Sequence, residues 1–100
     1  MLSVARFKIE DRSMEPTLKP GDYVIVNKLP YFFGKPSKGD IIVFKHPKIK
    51  NKFLVKRIIR VASNKYFVIG DNKTQSTDSR RFGPIAKDLI AGKMFIHIKK

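Results

Sequence analysis

Apolar residues recur in this chain either at every second position or in short continuous runs, and both patterns are typical of β-strands. Near the start, Phe7 and Ile9 alternate with Arg6 and Lys8. Further stretches rich in Val, Ile, Phe and Tyr lie at 23–27, 41–44, 53–62, 66–69 and 94–98. The spacing therefore predicts several short strands and an all-β fold.

Turn-forming residues separate the predicted strands. In the stretch 19–22, Pro20 and Gly21 stand at the two central positions, as a type II turn prefers. Residues 85–91 predict a short helical turn that ends at Gly92. The other predicted connections are a turn at 37–40 and loops at 29–36 and 70–84. A chain of 100 residues makes one domain. We therefore predict a single domain over 1–100, a compact coiled or barrel-like sheet with at most one short helix.

Composition limits the kinds of catalysis and the classes of partner that the chain can have. The chain has no cysteine, which excludes disulfides, thiol catalysis and Cys-ligated metal centres. Its net charge of +14 favours an anionic partner, either nucleic acid or the head groups of a membrane. No stretch approaches the roughly 18 apolar residues of a membrane span, so we expect that the chain as given does not cross a bilayer.

Two residues are candidates for catalysis. Ser13 lies in a turn between two apolar segments, where a hydroxyl can be held towards a cleft; the alternative is an ordinary turn or N-cap serine. Lys56 lies between Leu54 and Ile58 on one face of a predicted strand. Apolar surroundings favour the neutral amine, and a basic lysine needs its pKa lowered from about 10.4 to about 7–8. The alternative for Lys56 is a side chain that extends to water along its own stem.

The two histidines do not predict a catalytic triad or a metal site. His46 adjoins Pro47 in a basic loop, and His97 shares a strand face with Lys99, so we expect it to be exposed. Two scattered histidines do not predict a metal centre, and we expect neither metal nor cofactor. If Ser13 is a nucleophile, Lys56 is the better candidate for its base, as in known Ser-Lys pairs.

Four segments of the chain, taken together, resemble the sequence motifs of a known protein family. Residues 13–18 (SMEPTL), 39–44 (GDIIVF), 56–59 (KRII) and 70–84 (GDNKTQSTDSRRFGP) resemble, in order, the conserved boxes of the type I signal peptidases. The resemblance implies a mostly β serine endopeptidase that removes signal peptides from exported proteins. It also implies a location at the outer face of the cell membrane, with the N-terminal anchor missing or absent from this chain.

The resemblance implies roles for individual residues. Ser13 would attack the scissile carbonyl, and neutral Lys56 would take its proton and later pass it to the leaving amine. Ser76 would hydrogen-bond the Lys56 amine and orient it. Ion pairs would hold the 70–84 segment against the strand of Lys56, and the residues implied are Asp71, Asp78, Arg57 and Arg80.

Substrate binding is expected to use strand addition, with an extended peptide between the segment before Ser13 and the strand around Lys56. Small pockets would select an Ala-x-Ala pattern. The residues implied to contact substrate are Asp11, Arg12, Met14 and Val55. Asp11 departs from the family, which often has serine or glycine there. Because an ionised carboxylate cannot donate to an oxyanion, Asp11 must either point away or reduce activity.

Other interpretations remain open at this stage. A related protease with one dedicated substrate, such as a maturation protease for nickel superoxide dismutase, would use the same residues, as would a self-cleaving repressor domain. The aromatic loop at 31–33 could contact a membrane interface or close one end of the core. An alternative from another class is a basic β-module that binds nucleic acid through charge and through Tyr31, Phe32 and Tyr66.

Overall fold

A computed structural model describes residues 4–100, except for the side chains of Phe32 and Phe33. Over this range seven antiparallel strands form one sheet in the order β1-β2-β7-β3-β4-β5-β6. The strands are β1 (Val4–Lys8), β2 (Tyr23–Asn27), β3 (Ile41–Lys45), β4 (Phe53–Ala62), β5 (Lys65–Ile69), β6 (Ile85–Ala86) and β7 (Ile90–Ile98). The helical segments are α1 (Pro30–Phe33), α2 (Ser79–Phe82) and two 3-10 turns, Lys73–Gln75 and Lys87–Leu89. The predicted all-β fold is confirmed.

Both faces of β3 are buried, which explains the continuous apolar run in that strand. Ile42 and Phe44 are fully buried in one core cluster, whereas Ile41 and Val43 on the opposite face belong to a second cluster. A strand that is covered on both faces has no polar positions, so it does not alternate. β2 does alternate, because only one of its faces is buried.

Four predicted elements differ from the structure in detail. The predicted helical turn at 85–91 is reduced to the 3-10 turn Lys87–Leu89, and β7 already begins at Ile90 rather than at Met94. The predicted loops at 29–36 and 70–84 contain the short helices α1 and α2. Four-residue helices carry too few residues for a 3.6-residue period to show in the sequence.

A cleft beside Ser13 separates β1 from the first half of β4. β4 pairs with β3 through Phe53–Arg57, but its pairing with β5 begins only at Arg57, so in the described structure the other edge of 53–56 is unpaired. β1 pairs only with β2 and is the first strand of the sheet, so its outer edge is also unpaired in the described structure. The rings of Phe7 in β1 and Phe53 in β4 lie 5.4 Å apart, centroid to centroid, across this gap. Between residues 4 and 100, no helix has the length and apolarity needed to cross a bilayer.

Candidate active site

The turn that carries Ser13 is held by its own apolar side chains. Met14 and Leu18 are almost fully buried in the cluster beneath the turn. The Leu18 N–H donates to the Met14 carbonyl at 2.9 Å, which closes a tight local turn between them. The segment therefore cannot move without exposing two large side chains, and Ser13 is itself 3% exposed. The local sequence thus fixes the position of a hydroxyl group.

Lys56 reaches this hydroxyl from β4, 43 residues further along the chain. Its Nζ lies 2.7 Å from Ser13 Oγ, and only 2% of the Lys56 surface is exposed. Burial lowers the pKa of the Lys56 amine, and the nearby carboxylates of Asp11 and Asp78 oppose part of that shift. A neutral amine at this distance can accept the proton of the hydroxyl. The structure thus brings together the two residues predicted to form the dyad.

Asp11 is turned towards Ser13. Its Oδ1 accepts the Ser13 backbone N–H at 3.1 Å and the Ser13 hydroxyl at 2.9 Å. The alternative in which Asp11 points away from the nucleophile is therefore wrong for this structure. An ionised carboxylate is a strong acceptor for two adjacent donors, and the turn places both within its reach.

An ion pair joins the 70–84 segment to the strand of Lys56. Arg57 donates through Nε and Nη2 to the Asp71 carboxylate, both at 2.9 Å, and through Nη1 to the Gly39 carbonyl at 3.0 Å. Asp71 also accepts from Thr17 Oγ1 at 2.6 Å. The hydrogen bond from Arg57 is the main cause of the lowered pKa of Asp71. Asp71 therefore links β4 to the turn of Ser13.

A second ion pair lies within the 70–84 segment. Arg80 contacts both carboxylate oxygens of Asp78 at 2.9 Å, and Asp78 has no exposed surface. Asp78 also accepts from the Gly70 N–H at 3.0 Å and from Ser76 Oγ at 2.6 Å. Burial would raise the pKa of Asp78, but the hydrogen bonds from Arg80, Ser76 and Gly70 outweigh it and lower the pKa to about 2.

Ser76 does not make the hydrogen bond predicted for it. Among the described residues no hydrogen bond joins Ser76 to the Lys56 amine, and Ser76 Oγ donates to Asp78 instead. The physical reason is charge, since a buried carboxylate is a stronger acceptor than an amine. Asp78 still acts on Lys56 through its charge, which favours the protonated amine.

Two residues at the site were not singled out from the sequence. A Cβ on Gly70 would lie 2.5 Å from the Ser13 carbonyl oxygen and would contact Ser76 Oγ, so only glycine fits there. The Asn72 N–H donates to the same Ser13 carbonyl at 2.8 Å, and Asn72 Nδ2 donates to the Arg12 carbonyl at 3.0 Å. Both residues lie inside the 70–84 resemblance, which contains them without indicating a role.

A depression of about 90 Å³ adjoins Ser13 and lies between β1 and β4. Three of the four residues predicted to contact substrate line it, namely Asp11, Met14 and Val55. The fourth, Arg12, is not among the lining residues; its side chain is 70% exposed and lies 4.0 Å from Glu15. Phe53 also lines the depression.

Two sequence-based expectations outside the dyad are also decided, one for His97 and one for Tyr31. His97 is not exposed as predicted, because its Nε2 lies 2.7 Å from the buried Asp22 carboxylate and its side chain is 21% exposed. Tyr31 is buried in one core cluster and its hydroxyl donates to Asp40 at 2.6 Å. The side chains of Phe32 and Phe33, which the membrane interpretation also needed, lie outside the described residues.

Comparisons with known proteins identify the family of the chain. The family model described as "Signal peptidase, peptidase S26" matches residues 1–63 and 59–98. Signal peptidase I of Aquifex aeolicus is 51% identical over 53 residues, which cover 53% of this chain and 21% of that protein. Signal peptidase I V of Bacillus subtilis is 28% identical, with 86% of this chain and 80% of that protein covered. The mouse mitochondrial inner membrane protease subunit 1 is 32% identical, with 86% and 64% covered. The chain thus spans between about a fifth and four fifths of these relatives, and it belongs to the signal peptidase family, peptidase S26.

Proposed function

We propose that this protein is a serine endopeptidase in which Ser13 is the nucleophile and Lys56 the general base. The observation that carries the proposal is the buried 2.7 Å contact between Lys56 Nζ and Ser13 Oγ. Ser13 Oγ forms a bond to the scissile carbonyl carbon while its proton passes to Lys56. Lys56 then gives this proton to the leaving amine, and a water molecule that Lys56 activates releases the acyl group.

The substrate proposed is the signal-peptide region of an exported preprotein, bound as an extended strand. The unpaired edge of β4 at 53–56 and the edge strand β1 supply backbone donors and acceptors on both sides of the cleft. The depression beside Ser13 holds about 90 Å³, which suits a small side chain better than an aromatic one. Relatives named signal peptidase I support this substrate class.

The site of action proposed is the extracytoplasmic face of the cell membrane. The net charge of +14 favours an anionic lipid surface. Exposed apolar side chains on β7, namely Phe95, Ile96 and Ile98, add surface that a bilayer interface would cover. Relatives named as inner membrane proteases are consistent with a membrane setting.

None of the three rival interpretations is favoured by the site. Of the aromatics needed for stacking on nucleic acid, Tyr31 is 7% exposed and Tyr66 is 2% exposed, so neither offers a free face. A protease dedicated to one precursor would use the same dyad, and it differs only in which peptides it cleaves.

The test is cleavage of a peptide with an Ala-x-Ala site, presented in anionic vesicles, across a range of pH. Wild type should cleave, Ser13→Ala and Lys56→Ala should not, and the rate should rise through a basic pKa. The matched controls are Ser63→Ala and Lys65→Ala, because both residues are exposed near the β4–β5 turn. Cleavage that survives in a folded Ser13→Ala variant would refute the proposal, and cleavage of a single precursor alone would favour a dedicated protease.

A further inference from the structure

One carboxylate oxygen holds both hydrogens that the proposed reaction needs from Ser13. Asp11 Oδ1 accepts the backbone N–H at 3.1 Å and the hydroxyl at 2.9 Å. In acyl transfer the N–H next to a nucleophile stabilises the developing oxyanion. The hydroxyl proton is the one that the base must remove. Neither group is available while Asp11 keeps this position.

Lys56 and Asp11 therefore compete for Ser13. A hydroxyl has one proton, and here Asp11 accepts it at 2.9 Å while Lys56 Nζ lies 2.7 Å from the same Oγ. The negative charge of Asp11 also favours the protonated form of Lys56 and raises its pKa, against the effect of burial. Geometry and charge thus both hold the dyad in an unreactive state.

The contact between Asp11 and Ser13 can break at little cost to the rest of the fold. The Asp11 side chain is exposed, and both hydrogen bonds that it makes with the described residues come from Ser13. Rotation of this side chain into water therefore breaks no other hydrogen bond with the described residues. Asp11 also lines the depression beside Ser13, where a bound peptide would displace it.

We propose that Asp11 is a substrate-displaced lock on Ser13, a positioning residue that keeps the free enzyme inactive. The proposal rests on the Ser-Lys function proposed above. As an extended peptide enters, its scissile carbonyl oxygen takes the Ser13 N–H, and the Asp11 carboxylate turns to water. The hydroxyl then turns to the Lys56 lone pair, the Oγ–carbon bond forms and the proton moves to Lys56. Asp11 takes no proton in this sequence.

The kinetic test compares Asp11→Ala and Asp11→Ser with wild type on the Ala-x-Ala peptide. Charge-assisted hydrogen bonds of this kind correspond to about 10–100-fold in an equilibrium, so kcat/KM should rise by about 10–100-fold in both variants. The acid limb of the pH–rate profile should move to lower pH, because removal of a negative charge lowers the pKa of Lys56. Asp88→Ser, which removes an exposed aspartate from the 3-10 turn before β7, should leave the rate unchanged. Equal or slower cleavage by a folded Asp11→Ala variant would overturn the lock.

A second measurement does not depend on activity. In the peptide-free protein the hydrogen bond to Asp11 should protect the Ser13 amide from exchange with solvent deuterium, and this protection should be lost in Asp11→Ala. The Lys56 side-chain resonance should titrate at lower pH in the same variant. A Ser13 amide that is insensitive to Asp11 overturns the lock even in an active enzyme. Cleavage by Ser13→Ala would instead refute the proposed function, while the amide exchange would still decide whether the contact exists.

Discussion

Replacement of Lys56 by Met measures how much the buried amine lowers the free energy of unfolding. Methionine keeps an unbranched side chain of similar length, so it can fill the same space between Leu54 and Ile58. The Ser13 hydroxyl keeps its hydrogen bond to Asp11 at 2.9 Å, so no buried donor is left without a partner. We expect Lys56→Met to abolish cleavage and to make the protein more stable at neutral pH.

The magnitude follows from burial and proton linkage. Lys56 is 2% exposed, and replacement of buried ion pairs by apolar side chains of similar volume often stabilises proteins by about 1–4 kcal/mol. We expect a gain in this range because no buried charge is left unpaired: Asp11 is exposed, and Asp78 keeps its ion pair with Arg80. Burial lowers the pKa of Lys56 below its ordinary value of 10.5. Between the folded-state pKa and 10.5 the unfolded chain binds more protons, so wild-type stability rises with pH in that window, relative to the Met variant. The slope is at most about 1.4 kcal/mol per pH unit.

The assay is urea unfolding of wild type and Lys56→Met, followed by circular dichroism, from neutral pH to above 10.5. The advantage of the Met variant should be largest and constant below the folded-state pKa of Lys56, and it should shrink as the pH rises towards 10.5. Lys50→Met removes an exposed lysine from the loop between β3 and β4 and should show neither effect. A Met variant that is less stable than wild type at neutral pH, or a difference that does not change with pH, would refute the reasoning.

Three further predictions concern the contacts around the dyad. Gly70→Ala should lower stability by about 1–3 kcal/mol and reduce cleavage, since the new methyl meets the Ser13 carbonyl; thermal unfolding and kcat measure both, and an unchanged kcat contradicts the packing argument. The lowered pKa of Asp78 contributes stability above pH 3.8 that is lost as the pH falls through about 2, so acid unfolding of Asp78→Asn should lack this transition, and an identical acid limb would exclude it. Arg57→Ala and Asp71→Ala should each destabilise the fold, and a double-mutant cycle should give a coupling of about 0.5–3 kcal/mol; additive effects would mean that the 2.9 Å pair is not coupled.

Much of the architecture follows from the sequence because β-strands leave a short-range pattern. The alternation around Phe7 and the apolar run at 41–44 predicted strands that the structure contains as β1 and β3. The order of the four resembling segments pointed to Ser13 and Lys56 as a pair. Their separation of 43 residues carries no information about distance, and only the pairing of β3 with β4 and the buried turn at Met14 bring them to 2.7 Å.

Tertiary structure decided what each polar group binds. Asp11 was recognised from the sequence as unusual, but its direction depends on the backbone of a turn that no periodicity describes. Ser76 bonds to Asp78 rather than to Lys56, and His97 bonds to Asp22 across 75 residues, because a buried hydrogen-bonding group takes the strongest acceptor that the fold brings near it. A strand pattern depends only on residues that are neighbours in the chain, so the sequence predicts it. The choice of hydrogen-bond partner is a competition among residues that are distant in the chain, so it exists only once the sheet has formed.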